Sequence, residues 1–108
     1  MSNVVKEIDI VNAIIKYLNY QGFYIFRVNA GMMFTKGKVF RGAPAGVSDI
    51  IGITPQGKFI ALEVKLPKRK NNVTLPQRQF LDTIIKKGGI GDVVDSIEDV
   101  KRYIKQTR

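Results

Sequence analysis

The sequence of 108 residues contains no cysteine, no histidine and no tryptophan. The absence of cysteine excludes disulfide bonds, and the absence of both cysteine and histidine excludes zinc fingers and thiol or imidazole nucleophiles. Any general base must therefore be a carboxylate, a lysine, a tyrosine or a metal-bound water. Any bound metal must be held by oxygen atoms, which favours Mg²⁺ or Mn²⁺.

Long apolar runs are also missing. The N-terminal region has no apolar stretch of the length that a signal peptide or a membrane span requires. We therefore expect an intracellular, cytoplasmic protein with no membrane partner. The length fits one domain, residues 1–108, with a single hydrophobic core.

Positive charge is what the sequence has in excess. Eighteen Lys and Arg residues against nine Asp and Glu residues give a formal net charge of +9. For a small domain this charge favours a polyanionic partner, which is usually a nucleic acid and less often an acidic membrane or protein.

The pattern of apolar residues predicts an α/β fold with the order α-β-β-β-α-β-α. An apolar stripe predicts the first helix, and runs of β-branched and aromatic residues predict the strands. The predicted helices are 4–20, 75–87 and 96–105. The strands in this order are 23–28, 47–54, 58–65 and a short one within 90–96. Residues 32–40 are a further candidate strand, which is bent or broken at Lys36-Gly37 as a hairpin tip.

The strand 58–65 carries the residues that indicate chemistry. Because side chains alternate between the faces of a strand, Glu63 and Lys65 share one face, and an apolar set occupies the other. Hairpin pairing with strand 47–54 can bring Asp49 beside Glu63. Two carboxylates that close repel each other unless a positive charge lies between them, as a divalent cation or Lys65 would supply. The alternative is that Glu63 and Lys65 form an ordinary exposed pair that contributes little.

A third carboxylate, Glu7, falls inside the apolar stripe of the first helix. A carboxylate that faces a core is costly unless it is paired or bound to a metal. One interpretation is that Glu7 belongs to the same site as Asp49 and Glu63. The alternative is that Glu7 lies at the flank of the helix with its carboxylate in water.

Four segments resemble one known family. They are R-V-N-A-G at 27–31, G-V-S-D-I at 46–50, L-E-V-K at 62–65 and L-P-Q-R-Q-F-L at 75–81. Together they are similar to the VRR-NUC family, a branch of the PD-(D/E)XK nuclease superfamily. The resemblance covers nearly the whole chain, with Ser48-Asp49 in the place of the superfamily's Pro-Asp pair.

The resemblance implies a restriction-endonuclease-like core, in which helices flank a mixed central sheet. It also implies a metal-dependent DNA endonuclease that binds one or two Mg²⁺ or Mn²⁺ ions. Asp49 falls at the family's metal-binding Asp, Glu63 at its second acid and Lys65 at its catalytic lysine. Glu7 matches the acid of the family's first helix, and the carbonyl of Val64 joins the expected metal ligands.

Gln77 matches the glutamine of the helix that follows the family's catalytic strand. It also has a local interpretation, because Thr74 and Gln77 have the spacing of a capping box at the start of the second helix. The sequence leaves both roles open.

Five residues are candidates for contact with DNA phosphates. Lys68, Arg69 and Lys70 form a basic cluster directly after the catalytic strand, and Arg27 and Asn29 lie in the segment that resembles the family's first-strand motif. Such contacts position a nucleic acid without reading its sequence. For any single residue, the alternative is a solvated surface charge.

The expected substrate is branched DNA, such as a four-way junction or a flap, and symmetric pairing would give a homodimer two sites for it. Met32, Met33 and Phe34 are the candidates for the dimer interface. The glycines of the loop 41–46 are expected to permit a close approach to the DNA backbone. Two alternatives are a non-catalytic binding module and a nuclease subunit that needs a partner, and metal dependence separates the first of these from an enzyme.

Overall fold

The computed structural model describes residues 5–28, 32–35, 38–41 and 44–106, with side chains in 5–28 and 44–104. The helices are α1 (Glu7–Tyr20), α2 (Leu75–Lys86) and α3 (Ile97–Gln106). The strands are β1 (Tyr24–Arg27), β2 (Met32–Thr35), β3 (Lys38–Arg41), β4 (Ile50–Ile53), β5 (Phe59–Val64) and β6 (Ile90–Val94).

Four strands form a mixed sheet in the order β1-β4-β5-β6. The pairs β1–β4 and β4–β5 are antiparallel, whereas β5 and β6 are parallel and are joined through α2. The helices flank this sheet, so the predicted α/β class is confirmed. The order α-β-β-β-α-β-α holds for the elements of this sheet.

The segment after β1 corrects the predicted order for the whole chain, because five strands rather than three precede α2. β2 and β3 pair with each other as a separate antiparallel sheet, with Met32 opposite Arg41 and Thr35 opposite Lys38. β2 and β3 are the two halves of the predicted strand 32–40, and they satisfy each other's backbone groups, as a hairpin would, instead of joining the main sheet. The predicted tip, Lys36-Gly37, lies outside the described residues.

One face of the main sheet is covered by α1 and α3. Alternation along β5 buries Ile60, Leu62 and Val64 completely on this face, as the sequence predicted. The main core also includes Val11, Ile14, Leu18, Phe23, Ile25, Ile50, Val94, Val100 and Tyr103.

The opposite face is covered by α2, which packs on β5 and β6. A smaller cluster of Ala61, Leu81 and Val93 lies beneath the helix. β5 is therefore buried on both faces at its C-terminal half, and this is where the chemically interesting residues lie.

The helices are short, with 14, 12 and 10 residues in α1, α2 and α3. In the part of the chain that the structure describes, no helix has the length and apolarity needed to cross a membrane.

Candidate functional site

The β4–β5 hairpin brings Asp49 beside Glu63. Ile50 pairs with Leu62, so the next rung of the ladder places Asp49 opposite Glu63. The Val64 backbone N–H donates to Oδ2 of Asp49 at 2.8 Å, and the Val28 N–H donates to the Asp49 carbonyl, also at 2.8 Å. These bonds fix the aspartate on both sides and confirm the juxtaposition predicted from the pattern of the hairpin.

Glu63 is buried, with 3% of its surface exposed. Its pKa is raised to about 8, chiefly by burial and then by the charge of the neighbouring Asp49, whereas Lys65 lowers it. A carboxyl group with this pKa in a charged cluster is typical of functional sites rather than of plain surface. The interpretation of Glu63 and Lys65 as an exposed pair is therefore wrong.

Lys65 follows β5 and lies on the same side as Glu63. Its Nζ atom is 3.7 Å from Oε2 of Glu63, and 14% of its side chain is exposed. Its backbone N–H donates to the Val94 carbonyl at 3.0 Å, which extends the β5–β6 pairing by one residue. The Lys65 side chain is thus held against Glu63 while a small part of it still faces solvent.

The structure confirms the capping role of Gln77 and also places its side-chain amide against Glu63. Its Oε1 accepts from the Thr74 N–H at 2.9 Å, and its own N–H donates to Oγ1 of Thr74 at 3.3 Å, which completes a capping box. Its Nε2 donates to Oε2 of Glu63 at 3.1 Å. Because the amide oxygen already serves a backbone donor, the amide NH₂ group has to point at the carboxylate.

The variant Gln77→Glu should lower stability more than Thr74→Ala when both are measured at pH 8. Removal of the Thr74 cap costs about 1 kcal/mol. The glutamate retains an acceptor for the Thr74 N–H, but it directs a carboxylate oxygen at Glu63 instead of a donor. Urea unfolding at pH 8 and pH 5 tests this. At pH 5 a proton on the carboxyl pair restores a donor, so the difference in stability between the two variants should become smaller. If the two variants lose equal stability at both pH values, the Gln77–Glu63 contact contributes nothing to stability.

The loop before Asp49 is pressed against the first turn of α2. The chain turns between Pro44 and Val47, whose N–H donates to the Pro44 carbonyl at 3.2 Å, and Gly46 has a φ of +79°. A Cβ atom at Gly46 would lie 2.2 Å from the carbonyl oxygen of Pro76 and 2.7 Å from the backbone nitrogen of Gln77. Gly46 was expected to permit a close approach to DNA, but here it permits a close approach to α2. This contact holds the loop before Asp49 against the turn that contains Gln77.

The variant Gly46→Ala should be strongly destabilising, and Gly57→Ala is its matched control. Gly57 also has a positive φ, +84°, but no described atom lies within 4 Å of a Cβ placed there. Gly57→Ala should therefore cost only the left-handed backbone penalty, about 1 kcal/mol. Gly46→Ala adds a backbone clash and should cost at least twice as much in urea unfolding. Equal losses for the two variants would contradict the tight contact with α2.

Glu7 lies at the start of α1 and is half-buried. Its charge raises the pKa of Glu63, but it is the weakest of the contributions. Among the described residues, no three carboxylates are grouped closely enough to hold a metal ion together. The structure therefore brings together Asp49 and Glu63, with Glu7 outside the pair.

The oxygens of this pair fit a hard divalent cation. Oε1 of Glu63 is buried and has no hydrogen-bond partner among the described residues, and once the carboxyl group is ionised this oxygen can only accept. Buried acceptors normally have a hydrogen-bond partner or an equivalent contact. A cation shared by two adjacent carboxylates also removes the repulsion between their charges. Carboxylate oxygens are also the ligands that Mg²⁺ and Mn²⁺ prefer. The Val64 carbonyl stays a predicted ligand.

The predicted phosphate-binding cluster divides into two parts. Lys68 and Arg69 are exposed on a short 3-10 turn. Lys70 instead anchors the loop to α3, because its Nζ atom is 2.7 Å from Oδ2 of Asp99 and 3.8 Å from Oδ2 of Asp95. The hydrogen bond with Asp99 raises the pKa of Lys70. Two carboxylates already balance this charge, so Lys68 and Arg69 are the better placed phosphate contacts.

The other candidates are placed as follows. Arg27 is exposed on β1, opposite Ile50 and thus one residue from the rung of Asp49. Asn29 lies outside the described residues. The side chains of Met32, Met33 and Phe34 also lie outside them, so their part in an interface stays a prediction.

Asn19 is exposed on α1 and has a structural role that the sequence did not predict. Its Oδ1 accepts from the Ile25 N–H at 2.8 Å, and its Nδ2 donates to the Ile25 carbonyl at 3.1 Å. The side chain thus occupies the outer edge of β1. A polar residue at the end of a helix, six positions before a buried strand residue, is the only sequence signal for this contact.

In comparisons with known proteins, no family model matches the chain, and no curated protein matches it.

Proposed function

We propose that this protein is a metal-dependent deoxyribonuclease of the VRR-NUC type that hydrolyses phosphodiester bonds. The observation that carries the proposal is the pair of half-buried Asp49 and buried Glu63, with the Lys65 ammonium 3.7 Å from Glu63. A pair of this kind, in a chain with a net charge of +9, suits a reaction on a polyanion that needs a cation.

Asp49 and Glu63 would hold one or two Mg²⁺ or Mn²⁺ ions, with the Val64 carbonyl as a third oxygen and Glu7 as an outer carboxylate. When bound, the metal would supply Lewis-acid stabilisation of the phosphate charge and a more acidic water. Glu63 must lose its proton to act as a ligand, and Gln77 then holds its Oε2 by an amide hydrogen bond. Val64 fixes Asp49 in the same way through its N–H.

Lys65 would act on the reacting groups directly. From its place beside Glu63, the ammonium can donate to an oxygen of the scissile phosphate as negative charge develops there. The same nitrogen can also orient the attacking water, or deprotonate it when the amine is neutral. Both roles require an amine at this end of β5, so loss of the amine removes either one.

The proposed substrate is branched DNA, such as a four-way junction or a flap. The exposed Lys68 and Arg69, directly after the catalytic strand, would hold the phosphate backbone without reading its sequence. A homodimer would place two such sites on a substrate with two equivalent strands.

The test is the cleavage of a labelled four-way junction, a flap and a linear duplex in Mg²⁺, in Mn²⁺ and in EDTA. We expect cutting of the branched substrates in either metal and none in EDTA. Binding without cutting in both metals would instead support a non-catalytic binding module or a nuclease that needs a partner protein. Cutting in EDTA would contradict the metal requirement.

A further inference from the structure

The sheet face with the carboxylate pair continues into a row of exposed apolar side chains. Three rungs cross β1, β4 and β5 on this face, since directly opposed residues of antiparallel strands point to the same side. In order towards the site, the rungs contain Tyr24, Ile53 and Phe59, then Phe26, Ile51 and Ala61, then Val28, Asp49 and Glu63.

The outer rungs form a surface that we call the β1 platform, made of Tyr24, Phe26, Ile53 and Phe59. The exposed fractions of these four residues are 68, 46, 44 and 39%. The rings of Tyr24 and Phe26 are neighbours, with centroids 6.0 Å apart and planes tilted by 60°. Four large apolar side chains in one contiguous patch are more than scattered surface residues, and such patches mark binding surfaces.

We propose that the β1 platform stacks unpaired bases of the DNA strand whose phosphate lies at Asp49 and Glu63. This inference rests on the proposed nuclease function and deepens it. It makes the substrate a DNA with single-stranded nucleotides beside the scissile bond, such as the arm of a flap or the open centre of a junction.

The position of the rings supports a base as the occupant. Successive rungs on one face are about 7 Å apart, so Phe26 lies one rung and Tyr24 two rungs from the carboxylates. A strand that is held at the site by a phosphate can therefore reach both rings with its next nucleotides. Aromatic rings accept any base, because every base has a π-face, which suits an enzyme that recognises structure rather than sequence.

The charge of the domain points to the same occupant. A net charge of +9 favours a polyanion as the partner. Aromatic rings on a positively charged domain are typical of proteins that bind single strands, with the rings under the bases. A second copy of the chain would bring another charge of +9 to the same surface.

The edge of β1 also disfavours a second copy. The amide of Asn19 already binds both the N–H and the carbonyl of Ile25 on the outer side of the strand. Pairing of β1 with the same strand of another molecule would have to break both bonds.

The experiment measures binding in EDTA, where no cutting is expected, by fluorescence anisotropy. The probes are a thymine single strand and an abasic strand of the same length, which has the same phosphates but no bases. The variants are Tyr24→Leu and Phe26→Leu, and the matched control is Tyr20→Leu, which changes a tyrosine that is 87% exposed on α1. We expect each platform variant to weaken binding of the thymine strand roughly ten-fold, with little effect on the abasic strand. The control should bind both strands like the wild type.

Tyrosine fluorescence gives a second measurement that does not depend on how a variant folds. The chain has four tyrosines and no tryptophan, so stacking on Tyr24 should quench the signal of the wild-type protein. The thymine strand should quench it and the abasic strand should not. Equal quenching by both strands, or equal loss of both affinities in the variants, overturns the proposal.

Sedimentation distinguishes the competing occupant. A change from dimer to monomer in Tyr24→Leu or Phe26→Leu would make the β1 platform a subunit interface and overturn base stacking. Because binding is measured without metal, the two proposals can fail separately. Metal-dependent cutting without a base-dependent affinity would support the nuclease proposal and contradict base stacking. Ring-dependent binding without cutting in any metal would support base stacking and contradict the nuclease proposal.

Discussion

The variants Asp49→Asn and Lys65→Ala are each expected to lower the rate of DNA cleavage by at least about a thousand-fold, and DNA binding should remain close to that of the wild type. Asp49→Asn retains an oxygen that can accept from the Val64 N–H at 2.8 Å, so it removes the charge with little change in the hairpin. Lys65→Ala removes the amine that lies 3.7 Å from Glu63. Single-turnover cleavage of a labelled junction in saturating Mg²⁺ gives the rates, and anisotropy in EDTA gives the affinities.

Two surface variants serve as matched controls for these charge changes. Asp82→Asn alters an aspartate on α2 whose side chain is 60% exposed, and Lys101→Ala alters a lysine on α3 that pairs with Glu98 at 2.8 Å. Both should cut DNA at the wild-type rate. If purified, folded Asp49→Asn and Lys65→Ala proteins still cut in a metal-dependent way, the site must lie elsewhere.

Without metal, the protein should lose stability as the pH rises from about 5 to about 8. The pKa of Glu63 is raised from 4.5 to about 8 in the folded state, chiefly by burial and then by Asp49. Between these values the folded protein binds a proton that the unfolded chain has released, so the stabilising effect is complete below 4.5 and is lost as the pH approaches 8. At about 1.4 kcal/mol per pKa unit, the loss from this one group should reach a few kcal/mol.

The variant Glu63→Gln tests whether this pH dependence comes from Glu63. The amide has nearly the same size and can donate to Asp49, so the variant should be more stable than the wild type at pH 8 in EDTA and should lack most of the slope. Mg²⁺ or Mn²⁺ should stabilise the wild type at pH 8, where the carboxylate is most readily ionised, but should have little effect on the variant. Urea unfolding at several pH values gives both comparisons. A slope that survives in Glu63→Gln would assign it to another group.

The elements near the site were predictable because their patterns are local. Alternation along β5 separated the apolar face with Ile60 and Leu62 from the face of Glu63, and the turn at residues 55–57 set the register that places Asp49 opposite Glu63. The spacing of Thr74 and Gln77 likewise predicted a cap that the structure contains.

The contacts that depend on packing between distant segments were not predictable. Gly46 fits against Pro76, and Lys70 pairs with Asp99, although neither pair is close in the sequence. Burial of Glu63 depends in the same way on where α2 lies on the sheet. The hairpin within 32–40 was predicted from its Lys-Gly turn, but its place in a sheet of its own was not, since a local pattern does not show which sheet a strand joins.

The shared amide of Gln77 has a consequence for how a partly folded molecule would behave. One side chain closes the first turn of α2 and also holds the buried acid, and the adjoining Leu75 is 69% exposed. Helix ends are the first parts of a protein to fray, and they do so far more often than the whole molecule unfolds. Each opening of this turn would release Glu63 from its partner, so the proposed metal site would lose its geometry before the rest of the protein unfolded. Under the proposed function, a chain that is still folding, or beginning to unfold, would therefore not cut the DNA around it.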